Sequence, residues 1–238
     1  SRSASDGLIT VKIADNKGII IEVNAETDFV ARNENFQKFC DELALTGLKN
    51  EAENVESLLN YKFLDSNQNV QEHLTNLISK LGENIVIRKL EYINNKLGFL
   101  EKYLHNSINQ NSGKIGVLLS FQSNHKTEKV SEFAKNICMH IAAADPKSMN
   151  IESLDKNLVD KERSIYIEQL KSSNKPDEII EKIVDGKIKK FYQEVCLLEQ
   201  TFVMDNKTRI SESIAAFNRE HIENFELKNF FIFKLGQE

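Results

Sequence analysis

The sequence predicts an α+β fold: two small antiparallel-sheet subdomains with packed helices, and a projecting antiparallel helical hairpin. Three observations carry this. Near the N-terminus, two stretches of period-two apolar alternation flank a turn and give way to a helical period. From residue 115 the order strand, loop, helix recurs. Between residues 154 and 195, two charged amphipathic helices flank a short polar turn that contains proline.

In residues 8–13, Ile9, Val11 and Ile13 fall on one face at period two, and Ile19, Ile21 and Val23 repeat the pattern in residues 19–24. Asn16-Lys17-Gly18 between them predicts a hairpin turn. From Asn33 the period changes. Phe36, Phe39, Cys40, Leu43 and Ala44 follow helical spacing, with Asn33 as N-cap and Gly47 as the expected stop. After a polar stretch, a second helix places Val70, Leu74, Leu77, Ile78 and Leu81 on one face and stops at Gly82. A strand-like run from Ile85 to Ile93 comes next. A small antiparallel sheet with helices on one face would bury all of these.

The second half offers a strand over Ile115 to Phe121. A helix follows that carries Val130, Phe133, Ala134, Ile137, Cys138, Ile141 and Ala142 and ends before Pro146. Residues 20–44 and 116–142 share this order without strong identity, which predicts two related subdomains rather than a solenoid. In the hairpin, the first helix presents Leu158, Val159, Ile165, Tyr166 and Leu170. The second presents Ile180, Ile183, Val184, Ile188, Phe191 and Val195, after the turn Ser173-Asn174-Lys175-Pro176-Asp177. A helix near 208–220 and a strand over Phe230 to Leu235, expected to complete the second sheet, end the chain. The expected division is 1–112, then 113–153 with 196–238, with 154–195 as the protruding hairpin.

Composition fits this plan. The chain has 238 residues, 40% hydrophobic and 28% charged, enough apolar material for a packed core. With 31 basic against 36 acidic residues the formal charge is −5, so nucleic acid is not an expected partner. No apolar run approaches the roughly 20 residues of a membrane span, and the polar start lacks a secretory core. A membrane is not expected either. The absence of an initiator Met predicts a processed or truncated product. Cys40, Cys138 and Cys196 lie far apart in apolar stretches and read as small buried hydrophobes of a reducing compartment.

A search for chemistry gives little: no glycine-rich phosphate loop, no His-Glu-x-x-His pair and no Gly-x-Ser-x-Gly elbow. Cys138 and His140 stand two apart on a helix, about 200° around the wheel, so they diverge and cannot pair as nucleophile and base. No metal, cofactor or bond-making chemistry is expected on this chain.

The informative segment is Val23-Asn24-Ala25-Glu26-Thr27-Asp28-Phe29-Val30-Ala31-Arg32-Asn33, which leaves a strand and enters a helix. Phe29 could staple the helix to the sheet while Asp28 or Thr27 caps a turn. Alternatively, the aromatic and its carboxylate neighbour could stand exposed for contact. Exposure separates the two.

Asn24 to Asn33, with Phe36 and Gln37 following, closely resembles the signature of the elongation factor Ts family, guanine nucleotide exchange factors for elongation factor Tu. Further segments resemble the family's in the family's order: Gly82-Glu83-Asn84-Ile85-Val86-Ile87-Arg88, Lys114 to Leu118, Met139 to Ala143, Ile183 to Phe191, and Phe202-Val203-Met204. The match spans essentially the whole chain, and the hairpin is similar to the family's coiled-coil protrusion. The resemblance implies that Thr27, Asp28, Phe29 and Val30 reach the nucleotide domain of elongation factor Tu. There Phe29 would wedge between helices beside the magnesium site and weaken GDP without hydrolysis. It also implies partner contacts at Ile115, Gly116 and His140, and at Val203 and Met204 against another domain. Each of these has a structural alternative: a core strand with close backbone approach at Gly116, a partly buried His140, and ordinary burial of the 203–204 segment.

Two departures stand out. Ser1 to Gly7 already corresponds to the junction with the family core, so nothing resembles the family's N-terminal helical module, and no C-terminal helix follows Leu235. The expected location is a bacterial cytoplasm or an organelle matrix. A homodimer through the hairpin is a further expectation. The rival reading is a structural assembly protein that dimerises through the hairpin while Asp28 and Phe29 merely pack. A third, an enzyme using Asp28 or Cys138, would need a concave pocket with perturbed titratable groups.

Overall fold

Residues 3–237 are described by the structure, a computed structural model. The chain falls into two compact units: residues 1–142 with 224–238, and residues 143–223. Two small antiparallel sheets and eight α-helices make up its regular structure among the described residues, an α+β fold.

In the first unit, β1 (Asp6–Ala14) and β2 (Lys17–Ala25) form a hairpin whose register pairs Ala14 with Lys17. The loop is therefore Asp15-Asn16, with Asp15 at φ 55°, and Gly18 already lies within β2. The expected turn was displaced because Asp tolerates the left-handed region. The sheet order is β3-β2-β1-β5, with β3 at Val86–Asn94 and β5 at Ser112–Gly113. The second sheet is β4-β6-β7, formed by Phe99–His105, Ile115–Gln122 and Glu226–Lys234.

The apolar periods explain how these layers assemble. Leu8, Ile19, Ile21 and Val23 share one core with Phe36, Phe39, Cys40, Leu43 and Ala44. Those five lie on α2 (Glu34–Asn50). Ile9, Val11 and Ile20 point the other way and meet Leu118 and Phe233 of the second sheet. The first sheet is thus buried on both faces, by helix and by sheet, where the sequence predicts helices on one face only. Period-two alternation identifies each apolar face but cannot say what covers the opposite one.

Helix α2 begins at the predicted cap, Asn33, whose side chain accepts from the Asn35 amide at 2.9 Å. It does not stop at Gly47. A Cβ there would lie 2.3 Å from Ile19 Cδ1, so Gly47 serves close helix-sheet packing, and the helix runs on to a left-handed Glu51. The short α1 (Asp28–Ala31) precedes it. The polar stretch beyond α2 contains α3 (Val55–Asn60), started by a capping box at Asn54 and Ser57, too short for periodicity to reveal. Helix α4 (Val70–Leu81) starts with a capping box at Asn69 and Glu72 and ends on Gly82 at φ 72°, as predicted. Helix α5 (Glu128–Ala144) follows β6.

A buried carboxylate joins the two ends of this unit. Glu22 Oε2 accepts from the Gly236 amide and from Asn24 Nδ2, both at 2.9 Å, and Lys89 and Arg88 lie 3.7 and 3.8 Å from its oxygens. Full burial of a charge requires such partners.

In the second unit, α6 (Lys156–Lys171) and α7 (Asp177–Val195) pair antiparallel. Leu158 and Val159 pack near Phe191, Tyr192 and Val195, while Ile167 and Leu170 pack near Ile180. Arg163 joins Glu181 and Asp185 of the facing helix at 2.6 and 2.8 Å. A 3₁₀ turn at Leu197–Glu199 and α8 (Ile210–His221) complete the unit.

Candidate functional site

At the end of β2, Ala25 is fully buried, and the chain leaves the sheet at Glu26. Helix α1 then makes a single turn. Its inward residues, Val30 and Ala31, are 6% and 0% exposed, whereas Phe29 is 79% exposed. An isolated turn of four residues has no helical stability of its own, so its anchors matter. Buried Val30 and Ala31 hold it from beneath, and the Asn33 amide closes onto the Val30 carbonyl at 2.9 Å. Asp28 lies 3.4 Å from Arg32 in an exposed pair that contributes little.

Thr27 occupies the N-cap position of this turn but makes no capping bond. Its hydroxyl donates instead to Glu83 Oε1 at 2.7 Å, and its amide donates to Glu83 Oε2 at 3.1 Å. In return, the Asn84 amide donates to Glu26 Oε1 at 2.8 Å. Two carboxylates thus lace the exit of β2 to the loop that follows α4. No short-range pattern announces the pairing, because 56 residues separate Thr27 from Glu83.

The same unit holds three further residues singled out in the sequence. Ile115 is half-buried and opens β6, opposite His105 and Lys234. Gly116 is buried between the sheets. His140 is fully buried on α5, and its side chain presents no surface in the free chain. This differs from the surface position that the resemblance implies. Helical phase accounts for it: Ile137 and Ile141, on the same inward side, are also buried, while Met139 turns outward with 36% exposure.

In the other unit, Val203 and Met204 sit in a tight turn between two bonded ends. The Phe202 amide donates to the Thr208 carbonyl at 2.8 Å, and Thr201 bridges Arg209. Phe202 is buried, Val203 is half-buried and Met204 is exposed. Asp205 braces the turn by accepting from the Thr208 hydroxyl and from the Lys207 and Thr208 amides. Its carboxyl lies below the ordinary aspartate value, chiefly through the Thr208 hydroxyl and then the Lys207 amide.

Both turns raise an apolar side chain on a braced backbone, which is geometry for contact rather than for bond chemistry. The three thiols are buried, and burial pushes each above its ordinary value. Such thiols are poor nucleophiles. Among the described residues, no group of three His, Cys, Asp or Glu is placed to hold a metal ion, and no helix is long and apolar enough to cross a membrane.

Comparison with known proteins adds the family. A family model described as Elongation factor TS matches residues 26–237. Elongation factor Ts of Ehrlichia canis (strain Jake) is 41% identical over 239 aligned residues, covering 100% of this chain and 82% of the relative. The namesake from Rhodospirillum centenum is 40% identical, covering 99% of this chain and 76% of the relative. That from Erythrobacter litoralis is 38% identical, covering 100% and 77%.

Proposed function

The chain belongs to the elongation factor Ts family of translation elongation factors, and we propose on that premise that it releases GDP from elongation factor Tu by inserting Phe29 beside the partner's magnesium and phosphate site. The observation that carries this reading is the 79% exposure of Phe29 on a turn fixed from two sides. A solvated phenylalanine ring has about 1.5–3 kcal/mol to gain from burial. That is roughly one to two powers of ten in an equilibrium constant. Packing alone would have buried it, as it does Phe36 and Phe39.

The mechanism uses contact only. Magnesium holds the GDP phosphates by neutralising their charge, so displacing its ligands weakens nucleotide binding with no bond made or broken. Asp28, next to Phe29 in the chain and with its side chain 49% exposed, adds a carboxylate where the partner's cation shell is disturbed. Linkage then requires that GDP weaken this chain's grip on the partner by the same factor. Met204 with Val203 supplies a second apolar contact. Ile115 borders the partner surface, and Gly116, His140 and Val30 act from within the fold by setting the backbone beneath it. Nucleotide and metal belong to the partner, and the bacterial cytoplasm or an organelle matrix is the setting.

The test is release of fluorescent GDP from elongation factor Tu as the concentration of this chain is raised. Acceleration that saturates is expected. Release at the intrinsic rate throughout would overturn the reading.

A further inference from the structure

We propose that Glu83 is a positioning residue for the Phe29 turn, holding it in its contact-ready form before any partner arrives; this rests on the reading of Phe29 given above. Glu83 never touches the partner in this scheme. It acts through Thr27.

Thr27 stands where a threonine ordinarily accepts a bond from its own helix. Here its hydroxyl donates outward to Glu83 Oε1 at 2.7 Å while its amide donates to Oε2 at 3.1 Å. Both carboxylate oxygens are therefore committed to one residue, with the charge-assisted geometry that makes hydrogen bonds short and strong. The turn forgoes a local cap for a tether to a distant loop. The tether has a second strand, since Glu26 Oε1 receives the Asn84 amide at 2.8 Å.

Glu83 is itself well fixed. Gly82, at φ 72°, ends α4 and turns the chain toward Thr27, and Ile85, 2% exposed, pins the loop into the core two residues on. A carboxylate directly after a helix C-terminus faces the negative end of the helix dipole. The position is unfavourable on local grounds, and the two Thr27 donors offset it. With the tether in place the one-turn helix stays formed despite its length, and Phe29 pays no ordering cost when it docks. Without it, the turn populates other conformations. The concentration needed for half-maximal exchange then rises by the inverse of the competent fraction, while the docked complex is unchanged.

The experiment measures fluorescent GDP release from elongation factor Tu against the concentration of the parent chain and of Glu83→Ala, Glu83→Gln, Thr27→Val and Glu83→Ala/Thr27→Val. All are assayed well below their melting temperatures. The expected result for Glu83→Ala is a rise of about tenfold in half-maximal concentration, from a competent fraction near one tenth, with the maximal rate kept. Thr27→Val removes the hydroxyl bond but keeps the amide bond to Oε2, so its rise should be smaller, and the double variant should match Glu83→Ala, because the hydroxyl bond is already gone there. Glu83→Gln keeps a carbonyl acceptor and should fall between. Hydrogen exchange of the free Glu83→Ala chain should quicken at residues 27–31 and stay unchanged in α2 and in the sheets, which a general loss of stability would not produce. A half-maximal concentration within twofold of the parent, a lowered maximal rate at unchanged half-maximal concentration, or additive losses in the double variant would overturn the proposal. An inactive parent chain would instead overturn the reading of Phe29 and this inference with it.

Discussion

Gly116 lies against Ile9 so closely that a Cβ at position 116 would stand 2.6 Å from Ile9 Cγ2, with Val11 Cγ2 at 2.9 Å. The two sheets approach each other here, and the neighbours are β-branched residues that have little rotamer freedom to retreat. Gly116→Ala should therefore destabilise the fold by about 1–3 kcal/mol. Urea unfolding checks this, and an unchanged midpoint would mean that the sheets can separate without cost. Any loss of exchange in this variant should be traced to the fold before it is assigned to a lost contact.

Asn33 caps α2 directly after the Phe29 turn. Asn33→Ala should lower stability by about 1 kcal/mol, the usual value of such a cap. Asn33→Asp should retain most of it, since the carboxylate accepts the same amides and suits a helix N-terminus. Thermal unfolding of the pair distinguishes a capping role from a merely tolerated polar residue.

Cys40, Cys138 and Cys196 are buried, with burial raising each thiol above its ordinary value. The folded chain should leave all three unmodified by a thiol reagent at neutral pH over minutes, and label fully once denatured. Rapid labelling of Cys138 in the native protein would revive the enzymatic reading of that residue.

The Asp205 carboxyl sits below the ordinary aspartate value of 3.8, held there first by the Thr208 hydroxyl. A carboxyl lowered on folding stabilises the turn at pH above its unfolded value. That contribution is lost as pH falls through the lowered folded value. The 202–208 turn should therefore hold at neutral pH and loosen only below pH 3.8. In Thr208→Val the Asp205 midpoint, followed by carboxyl NMR, should move upward. A midpoint unmoved by that change would place the cause elsewhere.

Much of this was legible in the sequence because apolar period and caps are local signals. Ile9, Val11 and Ile13 share a face, as do Ile19, Ile21 and Val23, and Asn33 and Gly82 mark the helix ends they were expected to mark. The exposed Phe29 stands on the connector where the choice between packing and contact was posed. What stayed hidden depends on pairs far apart in the chain. Gly47 looked like a stop, yet it continues a helix because Ile19 presses on it. The strand at Phe99–His105 lacks clean alternation, since it borders its sheet beside β6 and is largely half-buried. Glu83 lies in a segment that resembles the family's, yet nothing in the sequence links it to Thr27 until the fold brings the two together.

The most direct measurement compares the parent chain with Phe29→Ala and Phe29→Leu, each saturating, in fluorescent GDP release from elongation factor Tu. Because Phe29 is solvent-exposed, both variants should fold as the parent does. The expected result is a maximal rate reduced roughly ten- to a hundredfold in Phe29→Ala, matching the burial energy of the ring, and a smaller reduction in Phe29→Leu. A folded, partner-bound Phe29→Ala that releases GDP as fast as the parent would contradict the wedge.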